Sequence, residues 1–405
     1  MKLLVLALIG VACASQVRYD NFKVHRLFPQ NEDQVEALKT LQDNGVYDFW
    51  SDGIGLNYTV DVMVPPHLEF NFQDFLRLKS LNAEVFVENV QDLIDMERAP
   101  AHPRSMGWVD YYDLDEIYAW LDQLGEDYPD VVEVLSPGMS YEGREIKGVH
   151  ISFSPNNKNN MVFIEGGIHA REWISSAVVT YTINEILNSE DPDVRKVVEE
   201  YDWYIFPVYN PDGFVYTKTT NRMWRKTRVP YGSCFGADPN RNFDYRWNTV
   251  GASNNPCSET FAGPFAHSEP EVDSMTEFVS KVENRMVAYL SFHSYSQLLL
   301  LPFGHTTAHL DNYAELREVG LIGMEKLKSF FGTEYRVGNT AEILYAAAGT
   351  STDWVKGIYG TRITYTYELR DTGRYGFVLP ADQILPSGIE TFASVITILE
   401  EFGKR

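Results

Sequence analysis

The stretch Met161-Val162-Phe163-Ile164-Glu165-Gly166-Gly167-Ile168-His169-Ala170-Arg171-Glu172-Trp173 sets how the whole chain is read. Met161 to Glu165 is a short apolar run, as expected of a buried strand. It passes through two glycines into His169 and Glu172, so a metal-capable pair follows a strand end. Open α/β sheets place their ligands there. A three-residue spacing puts an imidazole and a carboxylate on one side of a tight turn or of a first helical turn. Those two donor types suit zinc, although His-x-x-Glu by itself is common.

Moving outward, Val131–Leu135, Val149–Phe153 and Trp203–Val208 are further short apolar runs. Leu114–Leu124 and Ile174–Leu187 carry helical patterns. Later segments predict a helix over Pro270–Glu283, a strand over Val287–Ser291, a helix over Asn312–Phe331, a strand over Ile363–Glu368 and a helix ending near Phe402. Residues 105–405 therefore read as one α/β domain, a mixed twisted sheet covered by helices on both faces. Ser291-Phe292-His293-Ser294-Tyr295 puts a second histidine at a strand end. His293 alone reads more readily as a hydrogen-bonded core histidine than as a ligand. With His169 and Glu172 it completes a His, Glu, His set that leaves one coordination position for water. Glu368 closes another strand, where alternation aims it into the same crevice as a general base. A lone glutamate there reads more readily as the salt-bridge partner of an arginine.

Residues 16–104 read as a separate module. Phe22–Leu27, Thr59–Val64 and Glu84–Glu88 are strand-like, and Asn31–Asn44 and Phe70–Leu81 are helical. The order suggests a ferredoxin-like β-α-β-β-α-β sandwich. Asn57-Tyr58-Thr59 is a glycosylation sequon. Arg98-Ala-Pro-Ala-His-Pro-Arg104 reads as an exposed linker open to a trypsin-like protease, or as a plain hinge. Lys2, the apolar run Leu3–Val11 and Ala12-Cys13-Ala14 form a secretory signal pattern. The expected divisions are 1–14 signal peptide, 15–104 module with connecting segment, and 105–405 catalytic domain. Once Cys13 leaves with the signal, Cys234 and Cys257 remain, to pair or to stay as two buried thiols.

The chain has 405 residues, 57 acidic against 34 basic, a net charge of -23. That excludes nucleic acid and an anionic membrane surface as partners, because both need clustered cations. No apolar run in the body of the chain reaches membrane-spanning length. Against this background Arg222, Arg225, Arg228 and Arg241 stand out. Guanidinium reads a carboxylate through two parallel hydrogen bonds. A solvated basic loop is the alternative.

Across nearly all of 16–405 the chain resembles the zinc metallocarboxypeptidases of the pancreatic A/B type, in the form of a digestive procarboxypeptidase A-like zymogen. Gly167-Ile-His169-Ala-Arg171-Glu172-Trp173 resembles the first zinc motif, and Phe292-His293-Ser-Tyr295-Ser-Gln297 the second. Asn221-Arg-Met-Trp-Arg225-Lys-Thr-Arg228, Asp238-Pro-Asn240-Arg241-Asn242 and Tyr367-Glu368-Leu-Arg-Asp-Thr-Gly-Arg-Tyr-Gly-Phe377 resemble its other site segments. The resemblance implies one Zn2+ held by His169, Glu172 and His293, with Glu368 as general base and Arg225 as oxyanion stabiliser. It implies that Asn240 and Arg241 grip the substrate's terminal carboxylate and that Tyr345 closes over it. Arg171 and Tyr295 would line the cleft, Phe377 its outer subsite, and Asp238 would fix the tautomer of His169. A Cys234–Cys257 disulfide matches the family.

Residues 15–104 then imply a propeptide, cut after Arg104 by a trypsin-like protease. The partners implied are that protease and peptides or proteins with a free C-terminus, acting on a secreted monomer in a digestive lumen. The side-chain pocket maps onto Ser291, Leu300, Gly304, Thr340, Leu344, Ala347, Thr350, Thr352 and Thr366. B-type members carry an acid at the floor position, held here by Thr352. A neutral floor implies A-type preference for uncharged aliphatic or aromatic C-terminal residues, since a buried unpaired Lys is costly. Two departures stand out. A-type floors are usually branched and apolar, and Gly349-Thr350 replaces a usual pair of glycines, which shortens the pocket.

Overall fold

The computed structural model describes residues 16–51, 53–56, 58–97, 106–154 and 160–405. The signal segment 1–14, the sequon residue Asn57, and Arg98 and Arg104 of the connecting segment lie outside the described residues.

The amino-terminal module opens with β1 (Lys23–Phe28) and α1 (Glu32–Asp43), whose start is set by Asn31 accepting from the Gln34 amide. β2 (Asp48–Phe49), β3 (Val60–Val64), α2 (Glu69–Lys79), β4 (Asn82–Val87) and α3 (Val90–Glu97) follow. The four strands form one antiparallel sheet in the order β2-β3-β1-β4, as a ferredoxin-like sandwich requires. Leu27, Val60, Val62 and Val64 pack on Val35, Leu38, Phe72 and Leu76 of the two covering helices. The two-residue β2 and helix α3 are additions to the elements read from sequence. Both carry residues that face the second domain.

The second domain begins with α4 (Leu114–Asp127), β5 (Val132–Leu135), β6 (Gly148–Ile151) and β7 (Asn160–Gly166). It continues through α5 (Trp173–Asn188), α6 (Pro192–Val198), β8 (Tyr201–Phe206) and α7 (Pro211–Thr219) to a small hairpin, β9 (Pro230–Tyr231) with β10 (Cys234–Phe235). It ends with α8 (Pro270–Val282), β11 (Met286–Ser294), β12 (Leu298–Leu301), α9 (Tyr313–Phe331), β13 (Arg336–Asn339), α10 (Thr340–Ile343), α11 (Ser351–Tyr359), β14 (Ile363–Leu369) and α12 (Ile384–Gly403). Among the described residues, eight strands make one mixed sheet in the order β13-β12-β14-β11-β7-β8-β6-β5.

Strand alternation splits the core in two. Val162 and Ile164 of β7, Leu290 and Phe292 of β11, and Tyr365 and Tyr367 of β14 face α4, α5, α9 and α12. Phe163 and Tyr289 face the opposite layer, with Val272, Met275 and Val279 of α8 and Trp354 and Val355 of α11. The central strands β14, β11, β7 and β8 are parallel. The chain leaves β7 through α5 to β8 on one side, while β11 lies on the other. The carboxyl ends of β7 and β11 therefore open a crevice where loops diverge. Among the described residues no helix is long and apolar enough to cross a membrane.

Candidate metal and peptide-binding site

The turn after β7 is built by Gly167, whose φ of +66° is left-handed, and where a Cβ would meet Ser176 Oγ at 2.6 Å. That turn delivers His169, and Glu172 follows at the head of α5. His293 arrives on β11. His169 Nδ1 lies 2.8 Å from Glu172 Oε1, and His293 Nδ1 lies 3.2 Å from Glu172 Oε2 and 3.1 Å from His169 Nδ1. All three residues are buried, and the converging donor atoms lie within 4.8 Å of one another. Burial pushes the Glu172 carboxyl up, but the facing imidazoles of His169 and His293 outweigh it and hold it well below the usual carboxylate range. Two imidazole nitrogens and an ionised carboxylate, buried and converging within 4.8 Å, fit a zinc ion.

The second ring of contacts is equally ordered. His169 Nε2 stands 3.1 Å from Asp238 Oδ1, which leaves Nδ1 for the centre of the cluster. Asp238 is held well below the usual range because Arg225 and then Arg241 outweigh the effect of its burial. Arg225 donates to Asp238 Oδ2 at 2.8 and 3.2 Å and reaches within 3.9 Å of Glu172. Its main-chain oxygen accepts from the Ala170 amide at 3.0 Å, binding the arginine segment to the histidine turn. Asn210 was not singled out from sequence. Its side chain caps α7 and donates to the Ile168 and Lys226 carbonyls at 3.3 and 3.0 Å, so it joins the same two segments. The Asn-Pro-Asp-Gly start of α7 was the available signal.

Asn240 and Arg241 sit together in a 3-10 turn headed by Asp238. Arg241 donates to the Asn240 and Gly251 carbonyls at 2.8 and 2.9 Å, and its Nη2 is 3.4 Å from the Tyr345 hydroxyl. Glu368 lies on β14, in register with His293 on the parallel neighbour β11. It lines a cavity of about 280 Å³ together with Tyr295, Tyr345 and Phe377. Leu300 is on β12, Thr350 caps α11, and Thr352 lies in its first turn, with the Thr366 hydroxyl 3.3 Å from that of Thr352. Asp353, the next acid along, has its oxygens engaged by the Gly304 and His305 amides and the His305 ring. Cys234 and Cys257 are bonded, with Cα atoms 5.3 Å apart. Arg228 takes a different path from the other three arginines. It stacks over Tyr216 and Trp224, 3.6 Å from Glu142.

The amino-terminal module covers this crevice. Arg171 donates to Asp48 at 2.8 Å and to the Phe49 carbonyl at 3.2 Å, both in the short β2. The Tyr295 hydroxyl donates to Asp61 at 2.9 Å, and Asp61 is gripped by Arg26 at 2.7 and 2.6 Å. Arg222 donates to Glu97 at 2.7 and 2.5 Å. Trp50 lies edge-on to Phe377, ring centroids 5.5 Å apart. The backbone at Gly53 comes so close to the Tyr345 side chain that any Cβ there would overlap it.

Comparison with known proteins agrees with this arrangement. Residues 117–394 match the family described as "Zinc carboxypeptidase", and residues 25–97 match "Carboxypeptidase activation peptide". The chain is 45% identical over 413 residues to "Zinc carboxypeptidase A 1" of Anopheles gambiae, covering 100% of this chain and 95% of that protein. It is 45% identical over 293 residues to "Carboxypeptidase B" of Astacus astacus, covering 72% of this chain and 96% of that protein. The solved structure of thrombin activatable fibrinolysis inhibitor superposes with a TM-score of 0.87 at 32% identity, covering 96% of this chain and 100% of that one. With a buried His, Glu, His cluster at the crevice of a mixed sheet and an activation module seated over it, this chain belongs to the zinc carboxypeptidase family and is made as a zymogen.

Proposed function

We propose that the mature protein removes neutral aliphatic or aromatic residues from the C-terminus of peptides. The observation that carries the specificity is Thr352. Its hydroxyl faces Thr366, and the neighbouring Asp353 is engaged by Gly304 and His305, so the floor position itself offers the incoming side chain a hydroxyl and no charge. The names of relatives do not decide the matter, because both A- and B-type names occur among them.

In this reading His169, Glu172 and His293 would hold a zinc ion, which would supply Lewis-acid chemistry, polarising a carbonyl and acidifying water. Asn240 and Arg241 take the terminal carboxylate, and Tyr345 closes beside it. Glu368 accepts the proton from the attacking water and passes it to the leaving amine as the C–N bond breaks. Arg225 stabilises the oxyanion that forms on the carbonyl oxygen. Asp238 fixes the His169 tautomer. Arg171, Tyr295 and Phe377 receive residues upstream of the cleaved bond, and Leu300 and Thr350 wall the side-chain pocket.

We read residues 1–14 as a signal peptide, 15–104 as the propeptide and 105–405 as the enzyme. The Cys234–Cys257 bond supports secretion, because disulfides persist in oxidising compartments. The site is built from one chain, which supports a monomer. Trypsin treatment is expected to leave Ser105 as the new amino terminus, found by N-terminal sequencing. The activated protein is then tested on matched peptides ending in Phe, Leu, Arg and Glu, with and without a zinc chelator. Chelator-sensitive release of Phe or Leu supports the reading. Release of Arg alone overturns the specificity, and no release in zinc-loaded protein overturns the activity.

A further inference from the structure

Glu165 is fully buried on β7, on the strand face that looks toward α11. Its Oε1 accepts from the Ser351 hydroxyl at 2.7 Å, while Oε2 has no hydrogen-bond partner among the described residues. The phenols of Tyr209 and Tyr289 crowd the same spot, both pushed well up by burial and then by the Glu165 charge. Burying a carboxylate is costly unless it is hydrogen-bonded, so the bond from the Ser351 hydroxyl constrains both residues.

Ser351 is the first residue of α11. Its amide donates to Asn240 Oδ1 at 2.9 Å. That bond fixes which end of the Asn240 carboxamide points outward, and Nδ2 then lies 3.4 Å from His293 Nε2 at the crevice. The same helical turn carries Thr352. One turn of α11 thus joins the group that grips the carboxylate to the residue that meets the side chain, and Glu165 ties that turn to the central sheet.

We propose that Glu165 is a positioning residue for recognition of the substrate's C-terminal residue, acting through Ser351 on Asn240 and Thr352. The proposal rests on Asn240 binding the terminal carboxylate and on Thr352 flooring the pocket. Glu165 itself touches neither substrate nor zinc. Its effect is on KM and on discrimination between C-terminal side chains, with kcat for bound substrate retained.

The experiment compares the trypsin-activated wild type with Glu165→Ala, Glu165→Gln, Ser351→Ala, the Glu165→Ala/Ser351→Ala pair and Asn240→Ala. Peptides ending in Leu, Phe and Trp are used, and zinc content is measured alongside. Glu165→Ala is expected to raise KM about tenfold with kcat and zinc unchanged, and to narrow the Leu/Phe/Trp differences. Glu165→Gln, which keeps an acceptor for Ser351, is expected to restore most of the affinity. The double variant is expected to be no worse than either single one. A parallel loss of kcat and zinc in Glu165→Gln and Ser351→Ala, additive effects in the pair, or wild-type KM in all of them would overturn the proposal. Wild-type KM in Asn240→Ala would instead overturn the carboxylate grip on which it rests.

Discussion

His293 and Glu368 are register partners on the parallel strands β11 and β14, so their side chains leave the sheet on the same face and at the same height. The sheet's hydrogen-bond ladder therefore sets a proposed zinc ligand beside the proposed base. Rigid placement of this kind is what proton transfer at a reacting centre requires.

For the base itself, Glu368→Gln keeps the shape and removes the proton-accepting charge. Turnover is expected to fall roughly 100- to 10,000-fold, while zinc content and peptide binding stay near wild type. Metal analysis and single-turnover kinetics check this, and near-normal turnover would remove Glu368 from the base role.

The pocket floor is tested by Thr352→Asp. A carboxylate at that point can pair with a guanidinium or ammonium group and disfavours apolar ends. Release of C-terminal Arg is expected to appear, and release of Phe to drop at least about tenfold. Unchanged preference would place the floor elsewhere.

The module's grip is tested by Asp61→Ala. This leaves Arg26, whose side chain is 16% exposed, without its bidentate partner, and frees the Tyr295 hydroxyl. Docking of the module is expected to weaken by about 1.5–3 kcal/mol, the range for a hydrogen bond to a charged group, because the Tyr295–Asp61 bond is what crosses to the second domain while the Arg26–Asp61 pair is internal to the module. Peptide cleavage by the uncut zymogen should rise. An equally silent zymogen would show that the contacts at Arg171 and Arg222 suffice.

A pH dependence of folding is expected from Glu271, which is fully buried on α8. Burial, with Asp212 and Glu269 nearby, raises its carboxyl to about 8, against backbone hydrogen bonds including the Tyr141 amide at 3.2 Å. The folded protein thus keeps this proton at pH values where the unfolded chain, at the ordinary glutamate value of 4.5, has lost it. Its contribution to stability is full below the unfolded value and is lost as pH climbs to about 8. Glu271→Gln is expected to flatten that decline and to raise the Tm at pH 8.5 by about 2–4 °C. Melting curves from pH 5 to 9 decide it, and an unchanged slope would assign the decline to other groups.

Local pattern carried much of this protein. The strand ending at Glu165, the two glycines and the His169–Glu172 spacing are read within a dozen residues, because a buried strand and a turn each leave a periodic mark. The helices over α1, α5, α9 and α12, the mixed sheet and the ferredoxin-like module were legible for the same reason. Cys234 and Cys257, the two left once Cys13 is assigned to the proposed signal peptide, were readable as a pair or as two thiols, and the fold brings them together. What the sequence left open were relations between distant segments. Two residues of β2 show no period, yet they place Asp48 against Arg171, 123 positions away. Asp61 meets Tyr295 across 234 positions, and Glu165 meets Ser351 across 186. Four arginines close in composition and motif looked alike in sequence, and only packing sent Arg228 onto Tyr216 and Trp224 while Arg222, Arg225 and Arg241 turned inward. Periodicity and spacing record what each segment buries against itself and its immediate turn. Which carboxylate meets which guanidinium is decided when the sheet order brings separate strands together, and that order depends on the packing of the whole chain.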